Sequence, residues 1–224
     1  MTDMAKLKIL IAVPSMSHWL ADFGTSLVSL VGYLAMNKVK GYGEVEFRVM
    51  NIKGSILPKS RLTALKAAKD TGCSHLLFID SDHTFPPNLA HQLLGREKDV
   101  VAANCVTKTI PAMTTARLRG ADKHGEVVFS DPDFDGLQKV WRVGTGVMLL
   151  SRKAFMQIPH SAFAMPYKEE VDDYQGEDWT LCEALDALGI PIYVDHKASL
   201  QIGHVGQFNY THDVVGQVVR QEAA

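Results

Sequence analysis

The feature that most constrains the fold is an apolar run that ends abruptly in two aspartates. Residues 76–79 are Leu-Leu-Phe-Ile, and Asp80, Ser81 and Asp82 follow directly. A short continuous apolar run is typical of a strand that is buried on both faces of a parallel sheet. In open α/β sheets, ligands bind in the crevice outside the carboxyl ends of such strands. The sequence therefore predicts that Asp80 and Asp82 lie at a ligand-binding edge.

The two aspartates are suited to binding a cation. Side chains two residues apart in an extended segment lie on the same face, so Asp80 and Asp82 can approach one spot. Two neighbouring carboxylates repel each other unless a cation lies between them. A site with few oxygen ligands suits Mg²⁺ or Mn²⁺, which complete their shells with water and substrate phosphates. We therefore expect a divalent metal at this position.

The remaining apolar segments predict an α/β fold. Continuous or alternating apolar patterns mark strands at 8–14, 45–50 and 100–104, and helical spacing marks the segments between them. Strands that alternate with helices indicate a doubly wound, mostly parallel central sheet. From residue 107 the pattern changes, and the polar segment 111–135 predicts a small antiparallel hairpin or a flexible flap.

The later part of the chain has two irregular features. Gly144 and Gly146 interrupt the predicted strand 140–150, which indicates a bulge or a close approach to the backbone. Segment 161–176 is rich in Pro, Tyr, Asp and Glu and predicts a mobile loop. Further short strands are predicted at 192–194 and 200–202.

Four ionisable residues each have two interpretations. Arg61 is predicted to lie at a helix entry, where the helix dipole disfavours a cation. It is either a solvated surface arginine or a phosphate or base contact in the crevice, and we favour the second. Glu177 and Asp178 open a helix, and helix stability alone accounts for acids there. His204 lies in an apolar segment flanked by glycines, where a histidine is more often structural than a ligand.

Composition sets further limits. The 224 residues carry a formal net charge of −2, which gives no electrostatic reason to expect nucleic acid or an anionic membrane as partner. Cys73, Cys105 and Cys182 are an odd number in apolar or helical surroundings, so we expect buried thiols in a reducing cytoplasm. Pro14 breaks the first apolar run, so we expect neither a signal peptide nor a membrane span.

These features together resemble the GT-A glycosyltransferases, specifically the small members that are similar to glycosyltransferase family 2. An Asp-x-Asp tripeptide alone is common, whereas the order and spacing of all the features are more specific. The resemblance covers about 8–206 and rests on the strand 8–14, Ser60-Arg61, Asp80-Ser81-Asp82, the Gly-Thr-Gly strand 143–150, Gly176-Glu177-Asp178-Trp179 and Gly203-His204.

The resemblance implies one domain of GT-A type over 1–224, with a small antiparallel β appendage. About 1–106 would form the nucleotide-sugar-binding half and about 107–210 the acceptor and catalytic half, followed by a tail over 211–224. It also implies a nucleoside-diphosphate sugar as donor and Mn²⁺ or Mg²⁺ as cofactor.

The resemblance also implies a role for each matched residue. Asp80 and Asp82 would hold the metal and the donor's ribose and diphosphate, and His204 would be a third metal ligand. Asp178, with Glu177 beside it, matches the acid pair that supplies the general base in inverting relatives. The further donor contacts would be Pro14 and Ser15 on the nucleoside, Arg61 on the base or pyrophosphate, and Ser81, Gly144 and Gly146.

Two departures from the family pattern leave the nucleotide base open. Many relatives have Arg-Asn where this chain has Arg61-Leu62, and many end the second strand with an acidic pair where this chain has Asn51. The stereochemistry is open as well. If Asp178 lies opposite the leaving group, the reaction inverts the anomeric configuration; without a base there, retention is expected.

Other functions fit part of the same pattern. In a haloacid-dehalogenase-like phosphatase, Asp80 would be the nucleophile and Asp82 the acid and base. Against it, two βα units precede the motif, and His83 replaces the usual glycine. A nucleotidyltransferase and a non-catalytic nucleotide-sugar-binding module are further alternatives. The acceptor is also open, and a polysaccharide, a small molecule and a modified nucleic-acid base all remain candidates.

Overall fold

The computed structural model describes residues 6–121, 123–134, 136–170, 172–206 and 209–215. Short 3-10 turns cover His160–Phe163 and His212–Val214. The helices are α1 (Ala21–Met36), α2 (Leu57–Asp70), α3 (Leu89–Gly95), α4 (Arg152–Phe155), α5 (Glu177–Ala187) and α6 (His196–Ser199). The strands are β1 (Lys6–Ser15), β2 (Glu44–Lys53), β3 (His75–Ile79), β4 (His83–Thr84), β5 (Val100–Ala102), β6 (Arg117–Leu118), β7 (Glu126–Val127), β8 (Leu137–Val140), β9 (Val147–Ser151), β10 (Tyr167–Lys168), β11 (Asp173–Tyr174), β12 (Ile192–Asp195), β13 (Gly203–Val205) and β14 (Asn209–Tyr210).

A seven-stranded sheet with the order β2-β1-β3-β9-β5-β12-β8 forms the centre of the fold. Five of its strands run in one direction, and β9 and β8 run in the other. The predicted α/β class and the mostly parallel sheet are confirmed. The carboxyl ends of the five parallel strands lie at one edge, which is where ligands bind in such sheets.

The two faces of the sheet bury separate hydrophobic clusters. Successive side chains of a strand point to opposite faces, so Leu10 and Ala12 of β1 join one cluster while Ile9 and Ile11 join the other. Helices α2, α4 and α5 cover the first face, and α1 and α3 cover the second. Both clusters combine residues from before and after residue 106.

Small antiparallel sheets surround the central one. The predicted hairpin in 111–135 is confirmed as β6 paired with β7. Segment 161–176, predicted as a loop, contains a second hairpin made of β10 and β11. The third small sheet has the order β14-β13-β4. Because β4 follows β3 closely in the chain, this pairing places residue 204 near the end of β3. Sequence spacing alone gives no sign of this long-range pairing.

Several predicted boundaries were wrong. Helix α2 begins at Leu57, with a proline in its first turn, so Arg61 lies one turn inside the helix. The predicted strand 140–150 is two strands, and Gly144 and Gly146 lie in the connection between them. The strand expected at 200–202 is displaced to Gly203–Val205.

Cys73, Cys105 and Cys182 are buried free thiols, as predicted. Among the described residues, no helix has both the length and the apolar character needed to cross a bilayer. Most of the predicted tail, 216–224, lies outside the described residues. Val215 packs against Val106 and Ala112.

Candidate active site

The carboxyl edge of the sheet gathers polar residues from three adjacent strands. Ser15 ends β1, Asn51 lies near the end of β2, and Asp80 follows β3. The Ser15 hydroxyl donates a hydrogen bond to Asn51 Oδ1 at 2.5 Å. Pro14 and Ser15 are buried, and Ser81 lies partly buried in the turn after Asp80. The edge therefore has the polar groups expected of a ligand crevice.

A buried arginine connects Asp80 with the acid pair of α5. Arg61 is 1% exposed, so the surface interpretation of this residue was wrong. Its Nη2 donates to both oxygens of Asp80 at 3.1 Å, and its Nε donates to Glu177 Oε1 at 3.1 Å. Burial alone would lower the pKa of Arg61, but the two carboxylates raise it above its ordinary value. Arg61 therefore fixes Asp80 and Glu177 relative to each other.

Asp82 is the centre of a second cluster, made with His83 and His204. The nearest ligand atoms of the three residues lie within 4.8 Å of one another. His83 Nδ1 is 3.2 Å from Asp82 Oδ1, and His204 Nε2 is 3.3 Å from Asp82 Oδ2. Lys108 also forms an ion pair with Oδ2. Burial raises the pKa of Asp82, but the close contacts with His204, His83 and Lys108 lower it by more, so the carboxylate stays ionised far below its usual range.

The hydrogen bond of His204 leaves its other ring nitrogen facing Asp82. His204 Nδ1 lies 2.7 Å from the carbonyl oxygen of Val106, which can only accept, so Nδ1 carries a proton. In the neutral ring Nε2 then has a lone pair that faces the Asp82 carboxylate. Two facing acceptors repel each other, so either a second proton on the ring or a bound cation must accompany this 3.3 Å contact. A histidine that donates its other N–H to a backbone carbonyl is the usual arrangement of a metal ligand.

The Gly-Thr-Gly segment, residues 144–146, contacts members of both clusters. The carbonyl of Gly146 accepts a hydrogen bond from the Asp80 backbone N–H at 2.8 Å, and the carbonyl of Thr145 lies 3.5 Å from Arg61 Nη1. Gly144 and Gly146 are both buried. A Cβ on Gly146 would lie 2.8 Å from Cε1 of His83, and one on Gly144 would lie 3.2 Å from Thr115. A close approach to these glycines was predicted, and the groups that approach them are the side chains of His83 and Thr115.

Replacing Gly146 with alanine is expected to destabilise the fold by about 1–3 kcal/mol, because the added methyl overlaps the buried His83 ring. Chemical denaturation would measure the change. Gly32→Ala in α1 is the matched control: nothing lies within 4 Å of its added Cβ, and alanine favours a helix by about 1 kcal/mol. A Gly146→Ala protein as stable as the wild type would contradict the close contact.

The acid pair of α5 is divided between two environments. Glu177 is 8% exposed and binds Arg61 in the interior. Asp178 lines a cleft, and its Oδ1 accepts a hydrogen bond from the Trp179 backbone N–H at 2.7 Å. Burial, and then repulsion by Glu177, raise the pKa of Asp178 above its ordinary value. A raised pKa makes a carboxylate a better proton acceptor, so Asp178 is the stronger candidate base of the two.

The cleft beside Asp178 has a volume of about 500 Å³. Arg142 lies over the rings of Trp141 and Trp179, 3.7 Å and 4.4 Å from their centroids, and Nη2 of Arg142 is 2.5 Å from Glu183 Oε1. Tyr174, on the β10–β11 hairpin, is 63% exposed. The residues that line the cleft are Lys123, His124, Arg142, Lys168, Glu170, Asp173, Tyr174, Gln175, Gly176, Asp178, Trp179 and Glu183.

The structure brings the predicted site residues into two linked groups. Asp82 and His204 lie together, while Asp80 is paired with Arg61 and, through it, with Glu177. Sequence reasoning missed His83 and Lys108 as neighbours of Asp82. His83 directly follows the Asp-x-Asp segment, so its position was a usable signal. Lys108 carries no local signal, since only the folded chain brings it to Asp82.

No family model matches the chain, and no curated protein matches it either. Among solved structures, A197 from STIV is 18% identical, with a TM-score of 0.53 over 89% of this chain and 86% of that one. The catalytic domain of Drosophila beta1,4-galactosyltransferase 7, in complex with xylobiose, is 13% identical, with a TM-score of 0.50 over 89% of this chain and 71% of that one. A nucleoside-diphosphate-sugar pyrophosphorylase from Vibrio cholerae RC9 is 14% identical, with a TM-score of 0.48 over 93% of this chain and all 100% of that one.

One of these structures, the galactosyltransferase catalytic domain, is a glycosyltransferase. The likeness to the first two structures covers most of this chain, at identities that establish a shared fold. The fold of the chain is GT-A-like, as the sequence resemblance predicted.

Proposed function

We propose that the protein is a metal-dependent glycosyltransferase, which moves a sugar from a nucleoside-diphosphate sugar to an acceptor hydroxyl. One observation carries the proposal. Arg61 connects Asp80 of the Asp-x-Asp segment with Glu177, whose neighbour Asp178 lines the large cleft. One buried side chain would thereby link the donor site to the residue beside the proposed proton acceptor. The GT-A-like fold supports the proposal, since a galactosyltransferase shares it.

The cluster around Asp82 fits a divalent metal. Its donor set combines a carboxylate with imidazole nitrogen, and His204 already donates its second ring N–H to a carbonyl. Asp82 and His204 would hold the ion, with Asp80 as the further ligand proposed from the Asp-x-Asp pattern. When bound, the metal supplies positive charge that stabilises the departing diphosphate.

The donor would bind along the carboxyl edge of the first half of the chain, about 1–106. Pro14 and Ser15 would contact the nucleoside, next to Asn51. Arg61 is buried and uses its donors on protein atoms, so we assign it to positioning Asp80 and Glu177. Lys108, paired with Asp82, would add positive charge beside the diphosphate. Ser81, Gly144 and Gly146 remain proposed neighbours of the donor.

The acceptor would enter the cleft formed by the second half, about 107–210, and Asp178 would take the proton from its hydroxyl. The cleft presents three lysine or arginine side chains against four carboxylates, a balance that does not attract a polyanion. Tyr174 and Trp179 offer aromatic surface beside these polar groups. An uncharged polyhydroxylated acceptor, such as a glycan or a small molecule, therefore fits better than a nucleic-acid base.

The test is a calorimetric titration with a panel of nucleoside diphosphates and their sugars, with and without Mn²⁺, together with an assay for release of the nucleoside diphosphate. We expect one nucleotide to bind only with metal, and Asp82→Ala to abolish that binding. Asp133→Ala, at an exposed aspartate, is the control and should bind normally. No binding, with hydrolysis of a phosphate ester, would favour the phosphatase. Binding without turnover would favour the binding module.

A further inference from the structure

His83 is a buried histidine whose ring nitrogens are not hydrogen-bonded. The residue is 2% exposed, and neither Nδ1 nor Nε2 has a hydrogen-bond partner of acceptable geometry among the described residues. Leaving a buried polar group without a partner destabilises the fold. Nδ1 lies close to the Asp82 carboxylate without a well-aligned hydrogen bond, so a cation held by Asp82 would pair with this buried nitrogen.

The backbone places His83 directly against His204. The two residues are opposite each other in the antiparallel pairing of β4 with β13, so their side chains share a face. Their rings stack with centroids 4.3 Å apart and an angle of 14° between planes. The Val205 N–H also donates to the Asp82 carbonyl at 2.7 Å, which ties this pair of strands to the aspartate. The three side chains are therefore held together by backbone hydrogen bonds.

Close packing on the other side keeps the His83 ring in place. The absent side chain of Gly146 leaves the space that the ring occupies, since a Cβ there would lie 3.0 Å from His83 Nε2. Nδ1 faces Asp82 at 3.2 Å. The ring is thus fixed with one nitrogen directed at the carboxylate that His204 also faces.

We propose that His83 is a metal ligand and that Asp82, His83 and His204 form a two-histidine, one-carboxylate site. This inference rests on the proposed function, which needs a metal at the donor diphosphate, and it adds His83 to the ligands of that metal. Imidazole nitrogen is a poor ligand for Mg²⁺ and a good one for first-row transition ions. The site selects Mn²⁺ over Mg²⁺, and Co²⁺ binds more tightly than Mn²⁺, following the general affinity order for these ions.

The test measures metal binding on the full-length, chelator-treated protein without any donor. Calorimetry with Mg²⁺, Mn²⁺ and Co²⁺ gives the affinities, and the visible absorption of bound Co²⁺ reports on its ligands. His83→Phe keeps a ring that stacks on His204 but has no nitrogen, and His83→Gln is the second variant. We expect each to weaken Mn²⁺ and Co²⁺ binding by about tenfold or more and to change the Co²⁺ spectrum. His160→Gln, at an exposed histidine, is the control.

Thermal unfolding separates loss of a ligand from loss of the fold. A folded His83→Phe protein with wild-type metal affinity and an unchanged Co²⁺ spectrum would overturn the proposal, as would wild-type preference for Mg²⁺. The proposed function fails separately: if the wild type binds Mn²⁺ through His83 but releases no nucleoside diphosphate from any donor, the metal site stands and the glycosyltransferase does not.

Discussion

Replacing Asp178 with asparagine is expected to lower kcat by about 10²–10⁴-fold, the usual contribution of a general base, while donor affinity changes little. Asparagine keeps the size and the acceptor oxygen of the side chain, so Oδ1 can still accept from the Trp179 N–H. What it loses is the ability to take a proton from the acceptor hydroxyl. Steady-state kinetics with saturating donor, together with calorimetry for donor binding, would separate the two effects.

The pH dependence of the wild-type enzyme should report the same group. Burial and the neighbouring Glu177 raise the pKa of Asp178. A base must be ionised to act, so kcat/KM rises with pH through this raised pKa and its acid limb lies above the pH expected for an ordinary aspartate. The Asp178→Asn protein should lose that limb. The product should also have the opposite anomeric configuration to the donor, which NMR of the product would establish.

The contribution of Asp178 to folding stability should fall as the pH rises, whereas its contribution to activity rises. The pKa of Asp178 is higher in the folded state than in the unfolded state, so this group favours folding at low pH. That contribution is lost as the pH rises through the folded pKa, and the ionised carboxylate then opposes folding. Asp178→Asn removes the charge and should therefore raise the Tm at neutral pH.

The control is Asp173→Asn, at an exposed aspartate in the same cleft, which should leave kcat within a few-fold of the wild type. An Asp178→Asn protein that keeps more than about a tenth of wild-type kcat would contradict the base assignment. Retention of the anomeric configuration would contradict it as well.

The sequence was sufficient for the parallel strands of the central sheet because their signals are local. The run 76–79 and the first strand are continuously apolar, and a buried parallel strand requires just that pattern. Asp80 and Asp82 could be placed at the carboxyl edge because a strand end fixes the direction of the residues that follow. The start of α2 was misplaced because its first turn, from Leu57, lacks the apolar periodicity that marks a helix interior.

The contacts within the site could not be predicted, because they depend on long-range pairing. His83 and His204 are 121 positions apart in the chain and meet only through the pairing of β4 with β13. Arg61 and Glu177 are separated by 116 positions and meet only because α2 and α5 cover the same face of the sheet. The type of each residue predicts its chemistry, whereas its contact partners depend on the topology of the fold.

Replacing Arg61 with methionine is expected to have the largest effect on stability. The change leaves the carboxylates of Asp80 and Glu177 close to each other without their shared cation. Breaking a buried ion pair by removing one partner costs about 3–5 kcal/mol. The Asp80 side chain is 24% exposed, so water screens part of the repulsion and we expect the lower end of this range. A fall in Tm of about 6–12 °C follows for a domain of this size.

Lys153→Met, at a lysine whose side chain is 77% exposed and paired with Asp99, is the control and should cost about 1 kcal/mol or less. Thermal and urea unfolding would give both values. An Arg61→Met protein within about 1 kcal/mol of the wild type would show that the network contributes little to the fold.

The triple variant Arg61→Met, Asp80→Asn, Glu177→Gln separates the stability of the network from its use. Removing one partner of a buried ion pair leaves an uncompensated charge, and replacing both carboxylates by the neutral amides Asn and Gln removes that charge. We therefore expect the triple variant to recover most of the stability lost in Arg61→Met. It should still lack turnover, because Asp80 would no longer carry the charge proposed to face the metal and the donor. A folded but inactive triple variant would show that these buried charges serve the reaction more than the fold.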